Sequence, residues 1–248
     1  MVTGPMLTRY GRWILGGLGA AAAGYLACVI ATWLQYGRVA PPGRGEVDPL
    51  LDSVMPDYEV VERHQIRVRA PASRVFALAL AANLQHSWVV RSIFRAREFV
   101  LGARPDRAWS SQGLLADVQK MGWRVLASRP DHEVVVGAVT QPWLADVTFR
   151  GLEPDAFRTF REPDFVKIAW TLRVHAAGPS YTILRTETRV VATDAQARRK
   201  FRGYWARFSP GIVLIRWFML HQTKVEAERA GGSASERAAA APDEATTR

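Results

Sequence analysis

The sequence predicts an α+β domain in which an antiparallel sheet packs against one long helix at the C-terminal end of the domain. Residues 165–174 and 181–192 alternate apolar and polar side chains on either side of an AAGPS turn, which is typical of a strand pair. The second strand leads into a helix whose aromatic residues share one face at i, i+3, i+4 and i+7 spacing: Phe201, Tyr204, Trp205 and Phe208. A sheet and a helix with such faces bury them against each other.

The elements upstream complete a domain that we expect between residues 58 and 229. The patterns predict a strand at 58–69, a short helix at 72–83, a second helix at 84–99, and a hairpin of strands at 123–128 and 133–140. Pro71 stands where a first helical turn tolerates proline, and the hairpin turn contains proline and aspartate. The order is therefore strand, two helices, several antiparallel strands and one long helix.

The two faces of the last strand pair carry different residues. Because register pairs like faces, one face should hold the apolar side chains of both strands together with Thr186 and Thr188. The other face holds Glu187 between Arg185 and Arg189, which we predict to be a solvent-exposed charged row. If that row instead faced a cavity, Glu187 would be a buried carboxylate with a perturbed pKa and a candidate acid or base.

An apolar segment near the N-terminus has the length of a transmembrane helix. The 25 residues between Arg12 and Arg38 carry no charge, and at 1.5 Å per residue they can cross a hydrocarbon core of about 30 Å. Aromatic residues stand at both ends of the segment: Tyr10, Trp13, Trp33 and Tyr36. We predict an N-terminal flank at 1–12 and a single-pass helix at 13–37 in the cell membrane. The slight excess of positive charge before the span favours an inside N-terminus.

Other interpretations of this segment stay open. A cleaved signal peptide would end at the alanines 21–23, and a lipoprotein signal would use Cys28, the single cysteine of the chain. The small residues Gly16, Ala20 and Gly24 fall at every fourth position. This spacing lets two helices approach closely, so a homodimer through these positions is an alternative to a monomer.

Three further features concern the ends of the domain. Residues 38–57 are rich in proline and glycine and predict a linker, and residues 230–248 have too few bulky apolar side chains to fold, so we predict a disordered tail. Ser209 and Pro210 should break the last helix and begin a new segment. That segment, IVLIRWFML, either packs internally or exposes Trp217 and Leu220 to a bilayer or partner.

Composition excludes little but weighs against several functions. The net charge is +10, yet the positive residues are scattered among acidic and apolar ones, so we expect no nucleic-acid partner. The 5 histidines show no metal-ligand spacing, and no catalytic signature is present. We therefore predict no metal, no cofactor and no assigned catalytic residue.

Several short motifs resemble those of a known family. They are TETRV at 186–190, TD at 193–194, FxxYW at 201–205, PGxxxIR at 210–216, GAVTQPW at 137–143 and FVKIAW at 165–170. Over residues 58–229 the chain resembles the SRPBCC superfamily (START-like, Bet v 1-like), and within it the polyketide cyclase/dehydrase-like bacterial proteins of unassigned function. The resemblance implies a helix-grip fold, with a curved antiparallel sheet around the C-terminal helix and a cavity between them.

Seven residues are pocket candidates, because ligand cavities are lined by aromatic side chains with a few placed polar groups: Trp143, Trp170, Thr186, Thr188, Tyr204, Trp205 and Phe208. The competing interpretation of the aromatic ones is plain core packing. We expect a membrane-anchored domain that binds a hydrophobic small molecule or lipid. The alternatives are a cyclase/dehydrase-type enzyme acting on a polyketide-like or other apolar substrate through Glu187, His175 or Arg189, and a non-catalytic interaction module at the membrane.

Overall fold

The structure is a computed structural model, and it describes residues 5–83, 88–102, 112–178 and 180–239. The helices are α1 (Pro5–Gln35), α2 (Pro49–Val54), α3 (Ala72–Ala81), α4 (Trp88–Leu101), α5 (Leu114–Lys120), α6 (Pro154–Thr159) and α7 (Ala195–Ala239). The strands are β1 (Val60–Val68), β2 (Arg124–Arg129), β3 (Glu133–Thr140), β4 (Phe149–Arg150), β5 (Val166–Ala176) and β6 (Thr182–Ala192).

The strands form one antiparallel sheet in the order β1-β6-β5-β3-β2, with the short β4 paired to β3. Helices α3 and α4 follow β1, and α7 follows β6 and contacts β1, β5 and β6. This is the arrangement of a helix-grip fold, so the predicted α+β class and the predicted fold are confirmed. The second helix, predicted at 84–99, is observed at Trp88–Leu101; residues 84–87 of that prediction, and the side chains of Trp88 and Val89, lie outside the described part of the chain.

The face of the sheet toward α7 carries the side chains that the strand alternation predicts. Trp170 lies opposite Thr188 and Leu172 lies opposite Thr186, as the register rule requires. The apolar side chains of this face pack with α3, α5 and the C-terminal half of α7 in one buried cluster, which includes Met219 and Leu220. Leu220 is therefore internal, whereas Trp217 is about half exposed, at 48%.

The opposite face of the sheet is covered, and this corrects the linker prediction. The segment 38–57 contains α2, and we call residues 45–55 the strap. Leu51 of the strap is fully buried and packs with Phe157 of α6 on Val135 of the sheet. Asp48 caps α2, because its Oδ1 accepts a hydrogen bond from the Leu51 amide at 2.9 Å, and Pro49 occupies the first helical turn. These are helix-start signals that the proline and glycine content of the segment conceals.

Glu187 and Arg189 of the charged row are buried rather than solvent-exposed, so the prediction was wrong for these two residues, whereas Arg185 is partly exposed. Glu187 faces away from α7 as predicted, but the strap lies over it. Arg63 Nε is 3.0 Å from Glu187 Oε2, and Arg189 Nε donates to Glu187 Oε1 at 2.7 Å. Arg189 also reaches Asp52 at 2.7 Å and the carbonyl of Met55 at 2.8 Å. Glu187 and Arg189 thus form an ion-pair network that joins the sheet to the strap.

A second buried group of this face is the carboxyl of Glu133, which has no exposed surface. Thr171 Oγ1 donates to its Oε1 at 3.4 Å, and Arg129 Nη1 lies 3.8 Å from its Oε2. Burial, together with the neighbouring carboxyl of Asp48, raises the pKa of Glu133 to about 7, against the opposing charges of Arg173 and Arg129. The folded protein therefore holds a proton on Glu133 at pH values where the unfolded chain releases it.

Stability should consequently fall as pH rises from about 4.5 to about 7, at a rate of up to about 1.4 kcal/mol per pH unit from this group. Below this window both states are protonated and the contribution is fully present. Glu133→Gln should flatten the slope, measured by urea unfolding at a series of pH values. The control Glu162→Gln, at an exposed carboxyl, should keep the pH dependence of the free energy of unfolding. If Glu133→Gln kept the same pH dependence as the unsubstituted protein, the raised pKa could not belong to Glu133.

Helix α7 is continuous through Pro210, which corrects the predicted break. A proline inside a helix removes one backbone hydrogen bond and costs about 3 kcal/mol. Packing on both sides of Pro210 opposes this cost, because Phe201 and Trp205 before it and Met219 after it are buried. The helix also extends into the predicted tail as far as Ala239, and residues 240–248 of that tail lie outside the described residues.

Helix α1 contains the predicted membrane span. Residues Leu15–Gln35 are long and apolar enough to cross a membrane, and the domain does not bury them. The C-terminal half of α1 nevertheless lies antiparallel to α7, because Tyr25 donates its hydroxyl to the Arg207 carbonyl at 2.6 Å and Arg202 donates to the Trp33 carbonyl at 2.7 Å. A side chain at Gly16 or Gly24 would meet no atom within 4 Å. The homodimer through this stripe stays a prediction, as does the orientation in the membrane.

Candidate functional site

A polar cluster lies between the sheet and α7, centred on Arg216. Its Nη1 donates to Thr186 Oγ1 at 2.9 Å and its Nη2 donates to Thr188 Oγ1 at 2.7 Å. The guanidinium also lies over the ring of Trp170, 5.1 Å from the ring centre. Thr186 and Thr188 share a face because strand side chains alternate, and the register puts Trp170 beside Thr188. The two strands therefore form one platform for the arginine.

The charge of Arg216 has no ion-pair partner among the described residues. Burial lowers the pKa of its guanidinium to about 10, and the more distant Glu62 opposes this shift. Arg216 is consequently still charged at neutral pH. Its two threonine partners are neutral, so the site holds a partly buried cation between sheet and helix.

Two further ionisable residues face the same side. Glu62 and His64 of β1 lie opposite Thr188 and Thr186 in the register, so they share the α7-facing side of the sheet. His64 Nε2 is 3.6 Å from Glu62 Oε2, and in the described part of the chain this buried nitrogen has no hydrogen-bond partner. Because β1 is an edge strand, the cluster opens at the sheet edge, where the two side chains are about a quarter exposed, at 22% and 29%.

The seven predicted pocket residues divide into two groups. Trp170, Thr186 and Thr188 meet at Arg216, as described above. The other four lie around the N-terminal half of α7: Trp143, Tyr204, Trp205 and Phe208. Trp205 is buried and stacks on Phe201, which is core packing. Trp143 is partly buried, and Lys200 Nζ lies 5.7 Å from the centre of its ring. A role in ligand binding stays a prediction for all seven.

Two cavities among the described residues lie away from Tyr204 and Trp205. One, of about 40 Å³, lies at the strap and is lined by charged residues that include Asp48, Arg173 and Glu187; it has room for roughly one to three waters. The other is an open groove of about 420 Å³ where α1 meets the start of α7. Neither of these cavities is lined by Arg216 or Trp170.

Sequence reasoning missed Glu62, His64 and Arg216 as site residues. Arg216 stands in an otherwise apolar helical run, and a charge in such a position is a signal for a polar partner inside the fold. Glu62 and His64 gave no local signal, because their position beside Thr188 and Thr186 depends on the pairing of β1 with β6. His175, Glu187 and Arg189, the candidates for catalysis, lie on the strap side or at its edge and not in this cluster.

No family model matches the chain, and no curated protein is similar to it. Solved structures similar to it include a hypothetical protein of Helicobacter pylori, with 7% identity and a TM-score of 0.38, over 76% of this chain and 99% of that one. The aromatase/cyclase Zhui from a Streptomyces species has 16% identity and a TM-score of 0.25, over 68% and 94%. Norcoclaurine synthase from Thalictrum flavum has 13% identity and a TM-score of 0.27, over 62% and 90%. The fold assignment rests on the sheet order and helix positions described above.

Proposed function

We propose that the protein is a membrane-anchored helix-grip domain that binds a hydrophobic small molecule or lipid with an anionic group. The observation that carries the proposal is Arg216, a partly buried cation held between sheet and helix by two neutral hydroxyls, with no ion-pair partner among the described residues. A buried charge without a counter-ion is costly. A carboxylate or similar group on a ligand would supply that counter-ion and accept charge-assisted hydrogen bonds from the guanidinium.

The surroundings of Arg216 suit the apolar part of such a ligand. Trp170 and Leu172 of the sheet belong to the buried cluster that lies against α7. On the outer side, Leu214 and Trp217 are exposed next to Arg216 in the helix, at 44% and 48%. An apolar ligand that arrives from a bilayer would meet these two side chains first, and α1 would keep the domain at the membrane.

The test compares palmitate with its methyl ester, which has the same chain and no charge. The full chain in detergent micelles should bind palmitate about 10–100-fold more tightly, since hydrogen bonds to a charged group contribute about 1.5–3 kcal/mol. Arg216→Met should remove this preference, measured by equilibrium binding of the radiolabelled compounds. Arg207→Met, at an exposed arginine of the same helix, should retain it. Equal binding of both compounds by the unsubstituted protein would refute the proposal.

A second candidate function is acid–base catalysis on the bound ligand, favoured by the His64 and Glu62 pair beside Arg216. An imidazole next to a carboxylate can move a proton to or from a substrate within hydrogen-bond reach. Mass spectrometry of a ligand recovered after incubation distinguishes the two functions. A carrier returns its natural ligand unchanged, whereas an enzyme returns a product of altered mass or structure.

A further inference from the structure

The groove between the end of α1 and the start of α7 concentrates positive charge. It has a volume of about 420 Å³ and is lined by Tyr36, Gly37, Glu59 and three arginines: Arg198, Arg199 and Arg202. The arginines come from two successive turns of α7, so their side chains spread around one opening. Three guanidinium groups against one carboxylate leave the groove with a net positive charge.

The arginines of the groove are held in different ways. Arg198 donates through Nε to Glu59 Oε1 at 2.9 Å, and Tyr36 donates its hydroxyl to the other oxygen of that carboxylate at 2.9 Å. Arg202 donates to the carbonyl of Trp33 at 2.7 Å and lies over the Trp33 ring, 4.5 Å from its centre. The fixed positions of these two side chains reduce the entropy that a ligand must remove on binding.

The third arginine completes the set of donors. Arg199 is exposed, and the part of the chain that the structure describes gives it no hydrogen bond or ion pair. Arg202 lacks a carboxylate partner there, since its bonds go to a backbone carbonyl. Guanidinium groups that lack carboxylate partners are suited to phosphate, whose oxygens accept two parallel N–H bonds from each fork. A carboxylate ligand would leave some of these donors unused.

We propose that this groove binds the phosphate of an anionic lipid headgroup. We assign the phosphate to a lipid because of the position of the groove, and this step rests on the proposed anchoring by α1. Tyr36 comes directly after Gln35, the last residue of the candidate span, and Trp33 and Tyr36 are aromatic residues of the kind that lie at headgroup level, so the groove lies at the interfacial end of α1. Basic side chains near an anionic leaflet are attracted to it, and the volume of the groove is large enough for a phosphate with its glycerol group.

The experiment measures lipid binding to the full chain in detergent micelles by native mass spectrometry. The unsubstituted protein should bind phosphatidylglycerol about tenfold more tightly than phosphatidylcholine, and the double variant Arg199→Gln, Arg202→Gln should lose this preference. The matched control removes two exposed arginines elsewhere, Arg124→Gln with Arg158→Gln, and should retain it. Thermal unfolding of both double variants checks that they are folded.

The other outcomes show whether the bound phosphate belongs to a lipid and whether this groove binds it. Equal binding of the two lipids, or a loss of preference in the control variant as well, overturns the proposal. Inorganic phosphate and glycerol phosphate form the second arm: if they bind as tightly as phosphatidylglycerol, the groove takes a free phosphate and the lipid assignment is wrong. The palmitate preference of the Arg199, Arg202 variant should match that of the unsubstituted protein, so failure at this groove is distinguishable from failure at Arg216.

Discussion

Replacement of Arg189 by methionine should destabilise the domain by about 3–5 kcal/mol, because it breaks a buried ion pair from one side. Arg189 is 2% exposed and donates to Glu187 and to the carbonyl of Met55. Without it, Glu187 keeps only Arg63 as a partner, and the Met55 carbonyl loses its donor. The free energy of unfolding, measured by urea denaturation with tryptophan fluorescence, gives the size of the effect.

The matched control is an arginine whose ion pair lies on the surface. Arg124 pairs with Glu153, and both side chains are at least half exposed. Arg124→Met should cost about 0–1 kcal/mol, as solvent-exposed pairs do. Equal losses in the two variants would mean that the network under the strap is open to water, contrary to the burial of Glu187 and Arg189.

Leu51→Ala should destabilise the domain by about 2–5 kcal/mol, through lost burial and the cavity left behind. Leu51 is fully buried between α2 and the sheet, although it lies in a segment whose composition is that of a linker. Val47→Ala is the control within the same segment, since Val47 is 54% exposed. The free energy of unfolding of both variants is measured by urea denaturation. The difference between them distinguishes a packed strap from a flexible linker.

A flexible linker and a packed strap predict opposite results for this pair. If residues 45–55 did not pack on the sheet, both substitutions would leave the free energy of unfolding nearly unchanged. A large loss in Leu51→Ala alone establishes that the strap is part of the folded domain. A soluble fragment for ligand experiments then has to begin before the strap rather than at Tyr58.

Local patterns were sufficient for most of the fold. Strict alternation in β5 and β6 predicted both faces, with Trp170 on the same face as Thr188, because side-chain direction in a strand has a period of two. The strap was predicted to be a linker because its segment is rich in proline and glycine and its apolar pattern is short. Asp48 followed by Pro49 is nevertheless a typical helix start. The break at Pro210 was wrong because packing of the two ends of α7 outweighs a local preference.

The candidate site was predictable only in part. Thr186, Thr188 and Trp170 followed from the alternation of their own strands. The partnership with Arg216 required the docking of α7 on the sheet, and the approach of Glu62 and His64 required β1 to pair with β6, more than a hundred residues later in the chain. Contacts at such separations leave no local trace in the sequence, so the polar centre of the site emerged only from the three-dimensional arrangement.

The strap also joins parts of the chain that are far apart in the sequence. Its contacts join residues made early to residues made late: Arg173 reaches the Val47 carbonyl across 126 positions, and Arg189 reaches Met55 across 134. β1, which follows the strap directly, pairs with β6. The pairing of β1 and the contacts of Arg189 with the strap therefore require synthesis of the last strand, β6. The partners of Glu187 and Arg189, namely Arg63 and Met55, precede them in the chain, so both charges can be buried against groups that are already made.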